Sequence, residues 1–373
     1  MKKILSFLML LLLVVVVTGG YLVFDRFQKN PEQILPFPYT FTEDAPALKL
    51  DAPILIVGDR MGFYFGKFST VLAETISQNL AKPIKVQTIA KPGHGLHRTL
   101  HELKSLTQWP QILIYQGGSE EFVEEKFIPT EITKITQNFE RLSDDRIETF
   151  LILYPVLSRI VYEPLKRVKL GPVPSPAEEI SEENYLKRLE TQLLLYEQEL
   201  LQLISQSKDR NSLLILSTTP INLDEPPRKI CEFTRNTDID AEILGVRDLL
   251  KADNPKAAYT KSSKLITQYS GNSELLFIHG QIAKRLGNKE EAVNTLLEAS
   301  AYDCSPWRAT ELQNSIIRKL AKDHQVLLFD FAKLVEKDFA LNPTFFDEVH
   351  PQNLYYDQGM EQLGLVIKSI LKL

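Results

Sequence analysis

The sequence predicts a three-layer α/β domain around a parallel sheet, interrupted by an inserted helical segment and preceded by an apolar N-terminal helix. Three observations carry this. Five short apolar runs, 54–57, 84–89, 112–115, 213–216 and 326–329, alternate with longer stretches of helical periodicity, and strands separated by helices pair in parallel through crossovers. The stretch from Asp240 to Tyr302 sets small residues at the spacing of packed helical hairpins. Residues Ile4 to Phe24 carry no charged side chain, and about 20 apolar residues suffice to cross a bilayer core.

Taken in order, the chain begins with Lys2 and Lys3 ahead of the apolar run, which favours a cytoplasmic N-terminus. A cleaved signal peptide has a shorter apolar core, roughly 7–15 residues, and an Ala-x-Ala-like site. The expectation is therefore an uncleaved signal anchor over 1–27, a single-pass membrane protein with its main domain periplasmic or extracellular. Cleavage near Gly19-Gly20 is the alternative, and Arg26 and Lys29 weaken the charge asymmetry. Residues 28–51 contain Pro31, Pro36, Pro38 and Pro46 and read as a stiffened linker. The first part of the α/β domain is expected over 52–223, the helical insertion over 224–304 and the second part over 305–373.

Within the first part, Leu186, Leu189, Leu193, Tyr196, Leu200 and Ile204 recur at helical spacing from Ser181 to Ser205. The polar face mixes both signs of charge, so a helix covering the sheet is favoured over a membrane-active one. In the insertion, Gly280, Ala292 and Ala299 occupy the small positions of a tetratricopeptide-like hairpin, with Leu276 and Leu296 at the large ones and a weaker unit drawn through Ala258. Fewer than three repeats do not stand alone, so the hairpins must lean on the α/β domain. They are either a partner-binding groove or packing that widens the fold. The two cysteines, Cys231 and Cys304, fall at the ends of this insertion. They pair as a disulfide or serve as small buried hydrophobes.

Composition excludes other classes. A 373-residue chain that is 44% hydrophobic can build a sizeable core and is not a disordered protein. A net charge of −5 spread along the sequence leaves no footprint for nucleic acid.

Chemistry-bearing residues follow the predicted strands. Gly58-Asp59-Arg60 closes the first, Gly93 follows the second, Gly117-Gly118-Ser119-Glu120 follows the third and Thr218 the fourth, while Asp347-Glu348-Val349-His350-Pro351 precedes the terminal helical pattern. Ligands in open parallel sheets sit beyond the carboxyl ends of the strands, so Asp59, Gly93, Ser119, Thr218 and His350 are expected at one edge. Taken singly, each block has a bland reading: a Gly-Asp pair makes a tight turn and caps a helix.

Their order resembles the SGNH (GDSL-like) hydrolase family, whose blocks run Gly-Asp-Ser, Gly, Gly-x-Asn and Asp-x-x-His. Ser217-Thr218-Thr219-Pro220-Ile221-Asn222-Leu223 and Ser305-Pro306-Trp307-Arg308-Ala309 are similar to segments of membrane-anchored bacterial members that carry a tetratricopeptide insertion. The resemblance implies an SGNH-type, flavodoxin-like sheet and acyl or acetyl esters as substrates, plausibly on a cell-envelope glycan. It implies His350 as general base, Asp347 as the residue that orients it, and Asp59, Gly93 and Ser119 as parts of the same site. Two positions depart from the pattern: the serine position reads Arg60 and the asparagine position reads Ser119.

A guanidinium stays protonated and is no nucleophile. Two readings follow. In the favoured one the site is a pseudoenzyme's, with Arg60 and Gly118 binding the carboxylate, phosphate or acidic sugar of an acylated or acidic glycan, or a protein partner. In the other, the chain is an active ester hydrolase or transferase using a relocated hydroxyl, Ser119 first. His94, His97 and His101 are a minor metal candidate, because offsets of three and seven share a helix face; solvated histidines are the commoner case. No cofactor and no metal are expected. The expected partners are the membrane, through the N-terminal helix, and an envelope glycan or a protein through the insertion, with nucleic acid excluded.

Overall fold

A computed structural model of the chain describes residues 9–21, 35–78, 80–153, 157–175, 182–231, 237–305, 307–339, 341 and 343–371. By internal contacts the chain divides into two units. The smaller comprises Met1–Thr42, Glu125–Val173 and Lys187–Leu194. In it, strand Tyr39–Phe41 pairs in parallel with Val168–Leu170, and helix Ile132–Leu142 places Asn138 to exchange two hydrogen bonds with the backbone of Glu163. Part of the proline-rich 28–51 stretch thus forms a strand instead of a linker.

The larger unit comprises Glu43–Glu124, Pro174–Leu186 and Leu195–Leu373. Its sheet has five strands: β1 Ile54–Gly58, β2 Val86–Thr88, β3 Ile112–Gln116, β4 Leu213–Ser217 and β5 Leu327–Phe329. All neighbours are parallel, and the spatial order is β2-β1-β3-β4-β5. Each of the five apolar runs read from the sequence is one of these strands. The order is that of the flavodoxin-like doubly wound sheet, in which the chain reverses direction between the first and third strands.

Alternation along the strands splits the core into two. Ile54, Ile56, Ile112, Ile114 and Ile215 face helix α1 Arg60–Gly66, helix α2 Ser69–Ser77 and the terminal helix, through Phe65, Leu72, Ile76, Tyr356 and Met360. Leu55, Val57, Leu113, Tyr115 and Leu216 face helix α3 Leu96–Leu103, the long helix α4 Glu182–Asp209 and helix Glu311–Asp323, through Leu100, Tyr196, Leu200 and Ile317. Strands buried on both faces read as unbroken apolar runs, which is why they were visible in the sequence.

Between β4 and β5 four helices, Thr237–Lys251, Pro255–Gln268, Ser273–Arg285 and Lys289–Ala301, form consecutive hairpins. Ala258, Ala292 and Ala299 are buried between them, and a Cβ on Gly280 would lie 2.6 Å from Leu296 Cγ. Hairpins therefore stand where small residues predicted close helix approach; assignment to the tetratricopeptide class remains an expectation. Cys231 and Cys304 are joined as a disulfide across a sequence separation of 73.

The membrane expectation is corrected. Among the described residues no helix is long and apolar enough to cross a membrane. The N-terminal helix is described over 9–21. The rest of the expected span, Ile4 to Leu8 and Leu22 to Phe24, lies outside the described residues. The single-pass localisation does not stand.

Candidate functional site

The site forms where β1 and β3 end side by side, Gly58 opposite Gln116. Gly58 has φ 140°, and a Cβ there would lie 1.8 Å from the Gln116 carbonyl oxygen. Only glycine lets the two strand ends approach so closely.

Asp59 comes next and caps α1, accepting from Met61 N at 2.8 Å. Its other oxygen, Oδ2, accepts from Ser119 N at 2.6 Å, Ser119 Oγ at 2.8 Å and Glu120 N at 3.1 Å. One carboxyl thus ties the turn after β1 to the turn after β3. It is 1% exposed. Burial, then the neighbouring Glu120 carboxylate, push its pKa from 3.8 up to about 7 against the opposing hydrogen bonds from Ser119 and Met61.

Glu120 occupies the centre. Its Oε2 accepts from two backbone donors, Arg60 N at 3.0 Å and Gly93 N at 2.6 Å, while Oε1 lies 2.8 Å from Arg60 Nη2. Gly93 reaches this point with φ 80°. Glu120 is 4% exposed against 44% for the Arg60 side chain. The sequence reading gave Arg60 to a ligand; the structure gives its guanidinium and its backbone N–H to Glu120. That residue was missed, although its place directly after the Gly-Gly-Ser turn put an acid at a strand end.

His350 and Asp347 form the expected pair. His350 Nδ1 lies 2.8 Å from Asp347 Oδ2, and the same carboxylate accepts from His350 N at 2.7 Å and Val349 N at 2.8 Å. Partial burial raises the Asp347 pKa, but these hydrogen bonds outweigh it and hold it below the usual value. The imidazole sits between Tyr64, at 3.9 Å between centroids, and Phe346 at 5.6 Å. Nε2 is buried and has no hydrogen-bond partner among the described residues. The Ser119 hydroxyl donates to Asp59 Oδ2.

Thr218 belongs to the scaffold: its hydroxyl donates to Asp330 Oδ1 at 2.7 Å and accepts from Ala332 N at 3.0 Å. Gly118, with φ 100°, leaves room for Tyr196 Oη, which a Cβ would approach to 2.9 Å. Beside Arg60, Ser119 and Glu120 a narrow cleft, with about 20 Å³ of cavity space, is bordered by Thr219, Asn222, Trp307 and Arg308. Arg308 fastens its wall by donating to the carbonyls of Asn222 and Glu225, both at 2.9 Å, and its guanidinium lies 4.8 Å from the Trp307 ring.

The three sequence-adjacent histidines do not converge. His94 precedes α3 and lies 3.6 Å from Glu102; His97 is buried, with Nε2 2.8 Å from Glu124. Among the described residues the group whose ligand-type atoms lie within 4.8 Å of one another is His97, Glu121 and Glu199. Two of these come from distant segments, and no sequence spacing pointed to them.

No model of a known protein family matches the chain, and no curated protein matches it. Among solved structures it is similar to a GDSL-like lipase from Bacteroides thetaiotaomicron, at 10% identity and TM-score 0.34, covering 86% of this chain and 87% of that one. It is also similar to a protein described as an acylhydrolase from Bacteroides fragilis, at 12% identity and TM-score 0.32, covering 93% and 95%. Both neighbours are GDSL-like or acylhydrolase proteins by description.

Proposed function

We propose that this chain is a non-catalytic, ligand-binding protein built on an ester-hydrolase-like sheet. The observation that carries the reading is the missing partner of His350 Nε2: the residue after the Asp59 cap is Arg60, and the one hydroxyl in the adjoining turn, Ser119, is committed to Asp59. Acyl transfer needs a hydroxyl or thiol within hydrogen-bond reach of the base. The cleft beside Arg60 has an indole, an amide and a threonine hydroxyl on its border, groups of the kind that hold an acylated or acidic sugar, which would have to widen the cleft to enter it. A protein partner held by the helical hairpins is compatible with the same reading.

The second reading, an active ester hydrolase, is favoured by one observation, the intact His350–Asp347 pair. One experiment separates them. The purified protein is assayed on short acyl esters and with a serine-directed phosphonate, and its binding to N-acetylated and uronic-acid sugars is followed by ligand-observed NMR. No turnover and no labelling, with saturable sugar binding, supports the proposal. Turnover abolished by His350→Ala overturns it.

A further inference from the structure

Two backbone N–H groups from different loops, those of Arg60 and Gly93, converge on one point, which the Glu120 Oε2 atom fills at 3.0 and 2.6 Å. Donors at such distances from a single oxygen are the geometry that stabilises a developing oxyanion in acyl transfer. Here the oxygen belongs to the protein. The carboxylate is anchored at its other end by Arg60 Nη2 at 2.8 Å, and it is 4% exposed.

We infer that Glu120 is a built-in occupant of a carboxylate-binding cradle: the Arg60 and Gly93 amides with the Arg60 guanidinium form a site for a carboxylate group, and the chain keeps that site closed with its own. The argument is one of fit. Two N–H donors meet one oxygen, and the Arg60 guanidinium lies 2.8 Å from the other as an ion pair without hydrogen-bond geometry, so the paired amides and the nearby positive charge together select an anion. A neutral amide at position 120 would present only one acceptor, and a hydroxyl would reach neither donor pair. The alternative, a salt bridge that merely solubilises Arg60, does not explain the two amide contacts. They would bind Oε2 whatever the Arg60 side chain did. An external ligand entering here must therefore carry a carboxylate able to displace Glu120. This deepens the ligand reading above and rests on it for the identity of the natural ligand, but not for the existence of the cradle.

The test is rescue of a vacated site by formate, the smallest carboxylate. Glu120→Ala should melt at a lower temperature than the parent protein, and sodium formate, compared with sodium chloride at equal ionic strength, should raise its melting temperature saturably by about 2–4 °C. The Arg60 and Gly93 amide resonances should move with the same midpoint. The parent protein and Glu120→Gln, whose cradle is filled, should show neither effect. A folded Glu120→Ala protein indifferent to formate, or a parent protein that responds equally, overturns the inference. If Glu120→Ala does not fold in chloride, refolding yield is read instead: restoration by formate alone supports the cradle, and no restoration overturns it. Ester turnover by the parent protein would defeat the non-catalytic reading while leaving this result standing.

Discussion

His350 Nδ1 is held 2.8 Å from Asp347 Oδ2, so the ring is oriented as a general base would be, yet its outward nitrogen is buried without a partner. An imidazole oriented by a carboxylate and unpaired at Nε2 among the described residues is one half of a proton-transfer pair.

Arg60→Ser alone should remain at background on short acyl esters, because Glu120 still holds the Arg60 and Gly93 amides. The double variant Arg60→Ser/Glu120→Ala should exceed it by about 10–100-fold, given that each oxyanion donor is worth about 10²–10³ in rate. Initial rates for both proteins decide this. Equal rates would mean that Glu120 is not what blocks the site.

Asp59 makes stability fall with rising pH. Its folded pKa, about 7, lies above the ordinary 3.8, so between about pH 4 and 7 the native state holds a proton that the unfolded chain has lost. Stability is greatest at the low end of that window and declines through it, levelling off above. The decline is of order a few kcal/mol. Urea unfolding of the parent protein and Asp59→Asn at pH 5 and pH 8 should show the difference between them moving against the parent as pH rises. A flat or opposite trend would show that Asp59 is ionised throughout.

Ser119→Ala removes the hydroxyl that donates to Asp59 at 2.8 Å but leaves the backbone contacts. A loss of about 1 kcal/mol is expected, together with a further rise in the Asp59 midpoint, since a bond favouring the anion is gone. Denaturation and carbonyl-detected NMR titration read the two effects. Loss of an ester-hydrolysing activity in this variant would instead mark Ser119 as a nucleophile.

Replacing both Cys231 and Cys304 by serine opens a cross-link across 73 residues. A cost of about 3–4 kcal/mol is expected, with faster amide exchange concentrated in helices Thr237–Lys251 through Lys289–Ala301. Exchange that quickens equally across β1, β3 and β4 would mean the bridge supports the sheet and not the insertion.

Much of the frame was legible because its signals are local. Leu55 and Val57 on one face and Ile54 and Ile56 on the other are all buried, so β1 reads as an unbroken apolar run. Gly280 and Ala292 announced a close helix pair because nothing larger fits. The site was only half legible for the same reason. Asp347 and His350 are three apart and hold each other, whereas Glu120 meets partners 60 and 27 positions away. Its role depends on backbone donors that no residue type advertises. His97 was read as solvated, but it is paired inside the fold by Glu124, 27 positions on. Strand Tyr39–Phe41 escaped notice because three residues are too few to show a period and its partner begins at Val168.

The insertion leaves the sheet almost where it departed. Cys231 and Cys304 stand 5.3 Å apart at their Cα atoms, Ile230 bridges Asp303 in antiparallel fashion, and Cys304 N donates to Lys229 O. A segment whose two ends meet imposes no spacing on the chain that carries it. What holds the helical hairpins to the domain is instead lateral: Ala283, Ala292 and Leu296 share a buried cluster with Ile221, Leu223 and Phe339, so the insertion is clasped at its base and seated along one side.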